Sequence, residues 1–389
     1  MTRHPSLSAP FMPVEPIRPV ANMSRNAMCW CRSGKKWKKC HRDRELMAPA
    51  NIFEIEDEFQ RIRKRGYCSY PKSSSDECDQ SITNAHTVQR RGGLSAIAED
   101  GHVLAVQPTM KRMVANEGMP SPRRIGIGLA STFPGFCNKH DRIAFQLIEG
   151  KCVDLNAGSA LRFSYRAIAF ERFRKAAALE FVDPMRQMDR GQPLWRQGAI
   201  QDHLRCYEGG LRLGMRDLES CKAEYDSRLL SGNPTGFKFC AIRFDRLLPI
   251  VGCGAFHPEF DTNGRELQRL GRVGCEYQML AINVTAFEQQ TVVCFGWLRG
   301  GTDPAQNFVE SLKALPSPRV ANAIVRVAFE HIENIYLQQS WWDSLSIADQ
   351  AELKKRIWSG GNIVIRASDC LVDRGTIYSD AQVLEIVSE

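Results

Sequence analysis

The sequence predicts an α+β protein made of an N-terminal metal knuckle, an irregular metal-braced module, a helical hairpin, and an antiparallel sheet with C-terminal helices. Three observations point there. Thiols and imidazoles fall at metal-ligand spacings within the first 150 residues. Apolar residues recur at helical spacing from about 156 to 230, and from Phe237 the period drops to two before helical spacing returns near Ala305. The expected divisions are a mobile lead-in over 1–25, the knuckle at 26–47, a second metal-binding module at 48–150, the hairpin at 151–234 and an α+β domain at 235–389.

With 389 residues and 43% hydrophobic content, the chain can bury cores for two or three domains. No run of about 18 apolar residues appears, so no bilayer-spanning helix is expected. Met1-Thr-Arg-His-Pro-Ser6 lacks the charged-then-apolar pattern of a secretory leader, and the cytoplasm is the expected compartment. Of fourteen cysteines, Cys240, Cys253, Cys275 and Cys294 lie in strand-like runs, where a reduced thiol packs as a small hydrophobe and no disulfide is required.

Residues 1–25 are Pro-rich and show no hydrophobic periodicity, hence the expected lead-in. In Asn26-Ala-Met-Cys-Trp-Cys-Arg-Ser-Gly-Lys-Lys-Trp-Lys-Lys-Cys-His41, the thiols of Cys29 and Cys31 sit two apart. Cys40 and His41 return after the turn Arg32-Ser33-Gly34 to complete four ligands. This soft S/N set suits tetrahedral zinc. Metal binding would supply the folding energy of a segment too short to bury a core.

The formal charge is +8, and much of the excess is local. Arg25, Arg32, Lys35, Lys36, Lys38, Lys39, Arg42 and Arg44 face one acid, Asp43, with Trp30 and Trp37 interleaved. That mixture suits phosphate contact with stacking on a base. An acidic protein surface would attract the same cations, and a solvated basic face is the third reading.

The run resembles the SEC-C motif, the C-x-C-x8-C-[HC] zinc element first named from the tail of the bacterial translocase motor. Cys29, Cys31, Cys40 and His41 occupy the four ligand positions. Arg32-Ser33-Gly34-Lys35-Lys36-Trp37-Lys38-Lys39 is similar to the family's G-S-G-K-K-[YF]-K-K centre, with Arg32 in place of the usual Gly. The resemblance implies zinc and a nucleic-acid or protein partner rather than a reaction, because in that family the knuckle is a docking accessory.

After the knuckle, Asn51 is the expected N-cap of a helix whose apolar face is Ile52, Phe53, Ile55, Phe59 and Ile62, with Arg61–Arg65 at its C-terminal end and Gly66 closing it. A second constellation follows. Cys78-x7-His86 and Cys137-x2-His140 form two candidate chelating pairs, with Cys68 as a spare thiol and His102 as a reserve ligand. The intervening turns, short helix and strand bury little apolar surface, so a second zinc ion is expected to brace them. In Asp100-Gly-His102-Val, a histidine tied to a backbone carbonyl is the preferred reading.

Ala85-His86-Thr87-Val88, Gly92-Gly93 and Phe136-Cys137-x-x-His140 also resemble the HNH or ββα-metal nuclease element. That resemblance implies His86 as the base that activates water and His140 as a metal ligand. Ala85 stands where the family has Asp, Glu or His. His86 cannot both complete a closed structural zinc site and act as a free base. The setting such motifs keep is bacterial mobile elements and phage-defence loci.

Helical spacing places Leu161, Tyr165, Ile168 and Phe173 on one helix and Leu204, Leu211, Met215 and Leu218 on the next, punctuated by Pro184 and Pro193 and ended by Gly232-Asn-Pro. Arg162, Arg166, Arg172, Arg174 and Lys175 form either a solvated face or a nucleic-acid-facing stripe. Strands are expected at 237–244, 250–256, 277–284 and 291–297, the last two linked by Phe287-Glu-Gln-Gln. Helices are expected at 305–314, 318–338 and 347–358, the last with Ser346 as N-cap and Gly360-Gly361 beyond it.

His257-Pro-Glu-Phe-Asp261 reads as ordinary turn chemistry, and Glu330-His331 as helix packing. No phosphate loop, catalytic triad or dinucleotide fingerprint is found. Two functions are expected: a zinc-binding adaptor that docks nucleic acid or an acidic protein surface, or a metal-dependent HNH-like nuclease or its relic.

Overall fold

The computed structural model describes residues 15–71, 77–106, 121–271, 276–360 and 366–389; Cys275, Gly361 and the first fourteen residues of the lead-in lie outside them. In chain order the elements are α1 (Ile52–Lys64), β1 (Ile82–His86), β2 (His102–Ala105), β3 (Arg123–Gly126), β4 (Thr132–Cys137), α2 (Asn138–Phe145), α3 (Ala157–Met185), α4 (Leu194–Ser231) and β5 (Phe237–Phe244). Then come β6 (Ile250–Phe256), β7 (Leu280–Phe287), β8 (Gln290–Leu298), α5 (Pro304–Lys313), α6 (Ser317–His331), β9 (Ile335–Leu337), α7 (Gln339–Ser344), α8 (Ile347–Gly360) and β10 (Val383–Ser388). The class is α+β with antiparallel sheets, as expected. No described helix is long and apolar enough to cross a membrane.

The chain divides into two compact units. One is built chiefly from the chain up to Arg63 and Arg174–Arg216. Its small core gathers Ile17, Trp30 and Trp37 with Cys29 and Cys31. The lead-in is therefore anchored from Ile17, whose N–H donates to Asp202 Oδ1 at 3.0 Å. Helix α1 begins where its cap predicts, since Asn51 Oδ1 accepts from the Phe53 N–H at 2.9 Å. Ile55 and Ile62 are buried, but Phe53 is 48% exposed and drops out of the expected apolar face.

The second unit comprises Lys64–Phe173, Asp217–Arg269 and Glu276–Glu389. Its main sheet has the order β10-β5-β8-β7-β6-β9-β2-β3, with antiparallel neighbours throughout. Along β5, Phe237, Phe239 and Ala241 share a core with Leu161, Phe163 and Ile168 of α3. Cys240, Ile242 and Phe244 point into another with Phe308 of α5 and Ile324 and Phe329 of α6. Covered on both faces, these strands read as nearly unbroken apolar runs. Cys240, Cys253 and Cys294 are buried within them, and thirteen cysteines of the described residues are free thiols. Glu288 and Gln289 both adopt positive φ (50° and 65°), the two-residue turn whose twist suits the β7–β8 hairpin.

The structure departs from expectation at three places. The helix expected over 318–338 ends at His331, and Ile335–Leu337 becomes β9 between β6 and β2. Asn334 sets that change: its buried amide donates to Thr87 Oγ1, and its Oδ1 accepts from Tyr336 Oη at 2.9 Å, a fixed geometry that a continuing helix would break. Strands β2 and β3, from the stretch 48–150, join the same sheet as β5–β10. Finally β10, unforeseen, covers the open side of β5.

Helices α3 and α4 are antiparallel: Arg172 pairs with Glu219 at 2.8 Å, and Arg186 with Glu208 at 2.8 Å. Gly232 takes φ 67° beyond α4, as a C-terminal glycine does. Two arginines of the expected basic stripe are used internally. Arg166 is buried against Glu149 and over the Phe145 ring, and Arg172 also donates to Tyr67 Oη at 2.7 Å. In the 257–261 stretch, Asp261 Oδ1 accepts from the Asn263 and Arg265 N–H groups at 2.8 and 2.9 Å, as turn chemistry predicts.

Gly66 owes its identity to crowding. A Cβ there would stand 2.7 Å from both Pro134 Cβ and the Pro134 carbonyl oxygen. Gly66→Ala is expected to cost about 1–3 kcal/mol through overpacking, read as a lowered midpoint in urea unfolding.

Candidate metal centres

Cys29, Cys31, Cys40 and His41 come together as the sequence predicts, with all four ligand atoms within 4.8 Å of one another. The N–H groups of Cys29 and Arg32 donate to the Lys35 and Cys29 carbonyls, and Arg32 and Gly34 take positive φ (60° and 73°), which folds the loop back on itself. Arg32 thus adopts a conformation that favours the glycine found there in the family pattern. Cys29 Sγ and Cys40 Sγ lie 3.3 and 3.2 Å from His41 Nδ1, and Cys31 Sγ lies 3.5 Å from Cys40 Sγ. Zinc bonds of about 2.3 Å to sulfur and 2.0–2.1 Å to nitrogen place tetrahedral ligands roughly 3.5–3.8 Å apart, so a small expansion fits the set around one ion.

The other side of the His41 ring was not legible in the sequence. Nε2 lies 2.7 Å from Asp189 Oδ2, a fully buried carboxylate in the turn between α3 and α4. Gln201 Nε2 also donates to Oδ2 at 2.6 Å, and Arg44 Nε donates to Oδ1. An Nε2–H donated to Asp189 leaves Nδ1 as the metal-facing nitrogen, the arrangement by which carboxylates orient histidine ligands. Burial opposes a proton on His41, but the Asp189 carboxylate and the Cys31 and Cys40 sulfurs outweigh it and raise its pKa to about 10. Hydrogen bonds from Cys29 and Cys40 push the Cys31 thiol well down.

The only local signal for Asp189 is Gly191 two residues later. Its φ is 70°, and a Cβ would stand 2.8 Å from the Met47 carbonyl oxygen. Nothing nearby points to a partner 148 residues away.

Trp30 and Trp37 are each only 8% exposed and pack in the core behind the ligands, Trp30 4.2 Å from the His41 ring. The base-stacking role considered for these indoles has no exposed face to act through. Lys35, Lys36, Lys38 and Lys39 remain exposed, whereas Arg44 is buried on Asp189.

The second group is Cys68, Cys78, Cys137 and His140, again within 4.8 Å of one another. Cys137 ends β4 and His140 lies in the first turn of α2, so the C-x2-H spacing brings Sγ within 3.2 Å of Nδ1. Cys68 Sγ is 3.4 Å from the same nitrogen. Its segment runs beside β4, with the Tyr67 and Ser69 N–H groups donating to the Pro134 and Gly135 carbonyls at 3.1 and 2.8 Å. Asp79 fastens the Cys78 loop to α2 by accepting from the Ser81 and Lys139 N–H groups at 3.0 and 3.2 Å. Tyr70 stacks on the His140 ring at 4.4 Å. Burial pushes the Cys137 thiol up to about 12, a cost that metal ligation would remove.

His86 stands outside this group, and Cys68 takes the place considered for it. In the β1–β4 ladder Ile82 opposes Cys137, whereas His86 opposes Thr132. Four residues along a strand are about 13 Å, which puts His86 at the far end of the hairpin. Its Nε2 faces the Ile127 carbonyl at 3.4 Å, and burial lowers its pKa, which keeps it neutral. His102, the reserve ligand, has Nδ1 2.7 Å from the Asp100 carbonyl oxygen, the backbone-tied role preferred for it.

The antiparallel pair β1–β4 followed by α2 does form a ββα layout. Among the described residues, however, no third group of three or more potential ligands gathers. Each group offers four ligand atoms, the number that a structural zinc site uses.

No curated protein and no solved structure is similar to the chain at a significant level. Residues 25–43 match the family model of the SEC-C motif. The chain carries a SEC-C motif whose three cysteines and histidine form a group able to hold a metal ion.

Proposed function

We propose that this protein is a zinc-binding adaptor: one ion organises the SEC-C knuckle, a second braces Cys68, Cys78, Cys137 and His140, and the lysine face of the knuckle docks a polyanionic partner. The observation that carries the reading is the closed geometry of both ligand sets, which leaves no open coordination position for a substrate. The exposed lysines beside the first set support docking by charge, to a nucleic-acid backbone or an acidic protein surface. Free thiols in every described cysteine suit a reducing compartment such as the cytoplasm.

Metal analysis of the purified chain is expected to find two zinc ions. A Cys29→Ser/Cys40→Ser variant should lose one ion together with docking of an anionic partner. Docking that persists without that ion would overturn the adaptor reading.

One observation favours the nuclease as a second reading. Because Cys68 completes the second ligand set, His86 is not committed to it and is free of the conflict between ligand and base. Cleavage of DNA in Mg2+ or Mn2+ that disappears in His86→Ala, with both zinc ions retained, is the result that would establish it; no cleavage by the native chain would end it.

A further inference from the structure

The knuckle and the turn between α3 and α4 enclose a cavity of about 560 Å3, within the range that accepts nucleotide-sized ligands. Arg32, Lys35, Lys38, Lys39 and Arg42 line it on the knuckle side; its carboxylates, Asp183 and Glu208, both face Arg186, and Met47 is the only aliphatic side chain among the described residues of its wall. The cations divide into two kinds. Arg44 is used by Asp189, and Arg186 by Gln201 and Glu208 at 2.9 and 2.8 Å. Arg42 has Asp43 beside it at 3.3 Å, and Arg32 has Glu15 at 3.5 Å. By contrast, Lys35, Lys38 and Lys39 are exposed, and among the described residues no carboxylate lies within ion-pair distance of them.

Three unneutralised ammonium groups on a concave wall call for a ligand with several closely spaced negative charges. The same wall offers no aromatic face on which a base could stack. Trp30 and Trp37 are turned into the core, and the exposed indole of Trp195 is not among the lining residues.

We infer that this cavity binds two or three consecutive phosphates of a phosphate chain and leaves any attached base unread. The inference deepens the adaptor reading and rests on it, naming phosphate rather than carboxylate as the anion. A nucleic-acid backbone and inorganic polyphosphate share this chemistry.

The test uses the full zinc-loaded chain with three probes: a single-stranded oligonucleotide, an abasic oligomer of the same length, and inorganic tripolyphosphate as competitor. The two oligomers are expected to bind within about threefold of each other, because contacts to the backbone carry no base information. Lys35→Ala/Lys38→Ala/Lys39→Ala should keep both zinc ions, lose at least about tenfold in affinity, and reduce the slope of log K against log salt by about 2, from roughly 0.7 per phosphate contact.

Competition by tripolyphosphate would extend the site to any phosphate chain, and its failure would assign the site to the nucleic-acid backbone. A preference of more than about tenfold for the base-bearing strand, the range that stacking on an aromatic such as Trp195 supplies, would overturn the inference. Unchanged binding by the triple variant would do the same. If a polyglutamate peptide binds through these lysines and no phosphate chain does, the phosphate assignment fails while polyanion docking stands; if neither binds, both fail.

Discussion

Asp189→Ala is expected to weaken zinc at the knuckle by about 10–100-fold, the usual effect of removing a carboxylate that orients a histidine ligand. The loss arises in two ways. Without Asp189 Oδ2 at 2.7 Å, His41 loses the acceptor that fixes its tautomer and ring plane. Arg44 and the Gln201 amide are also left facing an empty acceptor position in a buried site, at a further cost of about 1–3 kcal/mol.

Competition with a chromophoric chelator measures the affinity. A second variant separates ligand orientation from general damage. The SEC-C pattern accepts Cys at its fourth position, and a thiolate needs no carboxylate partner. Within a His41→Cys background, Asp189→Ala should therefore change zinc affinity by less than about threefold, since the carboxylate acts through the imidazole it orients. If Asp189→Ala is equally harmful in both backgrounds, the carboxylate acts only as a packing element and the orienting role is wrong.

The second large effect is expected at Cys68. Cys68→Ser should reduce the zinc content from two ions to one, while His86→Ala should leave it at two. Structural zinc contributes on the order of 10 kcal/mol at neutral pH, and without it the Cys78 loop and the Cys68 segment would be held to α2 and β4 only by the Asp79 contacts and the Tyr67 and Ser69 hydrogen bonds. Faster hydrogen exchange at Tyr67 and Ser69, whose N–H groups now bond to Pro134 and Gly135, would report the loosening. Zinc loss in His86→Ala with retention in Cys68→Ser would contradict the placement of Cys68 beside His140 and of His86 outside the group.

The two ligand groups differ in how far their own sequence reveals them. Cys29, Cys31, Cys40 and His41 lie within thirteen residues, so local turn geometry alone can gather them and spacing suffices. In the second group only Cys137-x2-His140 is local. Cys68 and His86 are equivalent as residue types near a third ligand, and the choice between them depends on strand register: Cys137 faces Ile82, not His86, and the Tyr67–Ser69 segment runs along β4. Register is set by which side chains the neighbouring core accepts, a long-range condition that spacing does not carry.

The sheet follows the same division. β5 and β6 were legible to the residue because both of their faces are covered and their apolar runs are continuous. β9 was not, because three residues beside a buried Asn334 cannot be told from the end of a helix by periodicity alone.

What the sequence determined by itself were the features enforced over one or two turns of chain: the SEC-C ligand set, the Asn51 cap, the α3–α4 hairpin and the apolar strands. Tertiary structure alone decided the groups that meet across long separations, namely Asp189 on His41, Cys68 beside His140, and β2 and β10 in one sheet. The physical reason is that a local motif needs only its own backbone geometry. A contact spanning 72 or 148 residues exists only after the intervening helices and strands have packed.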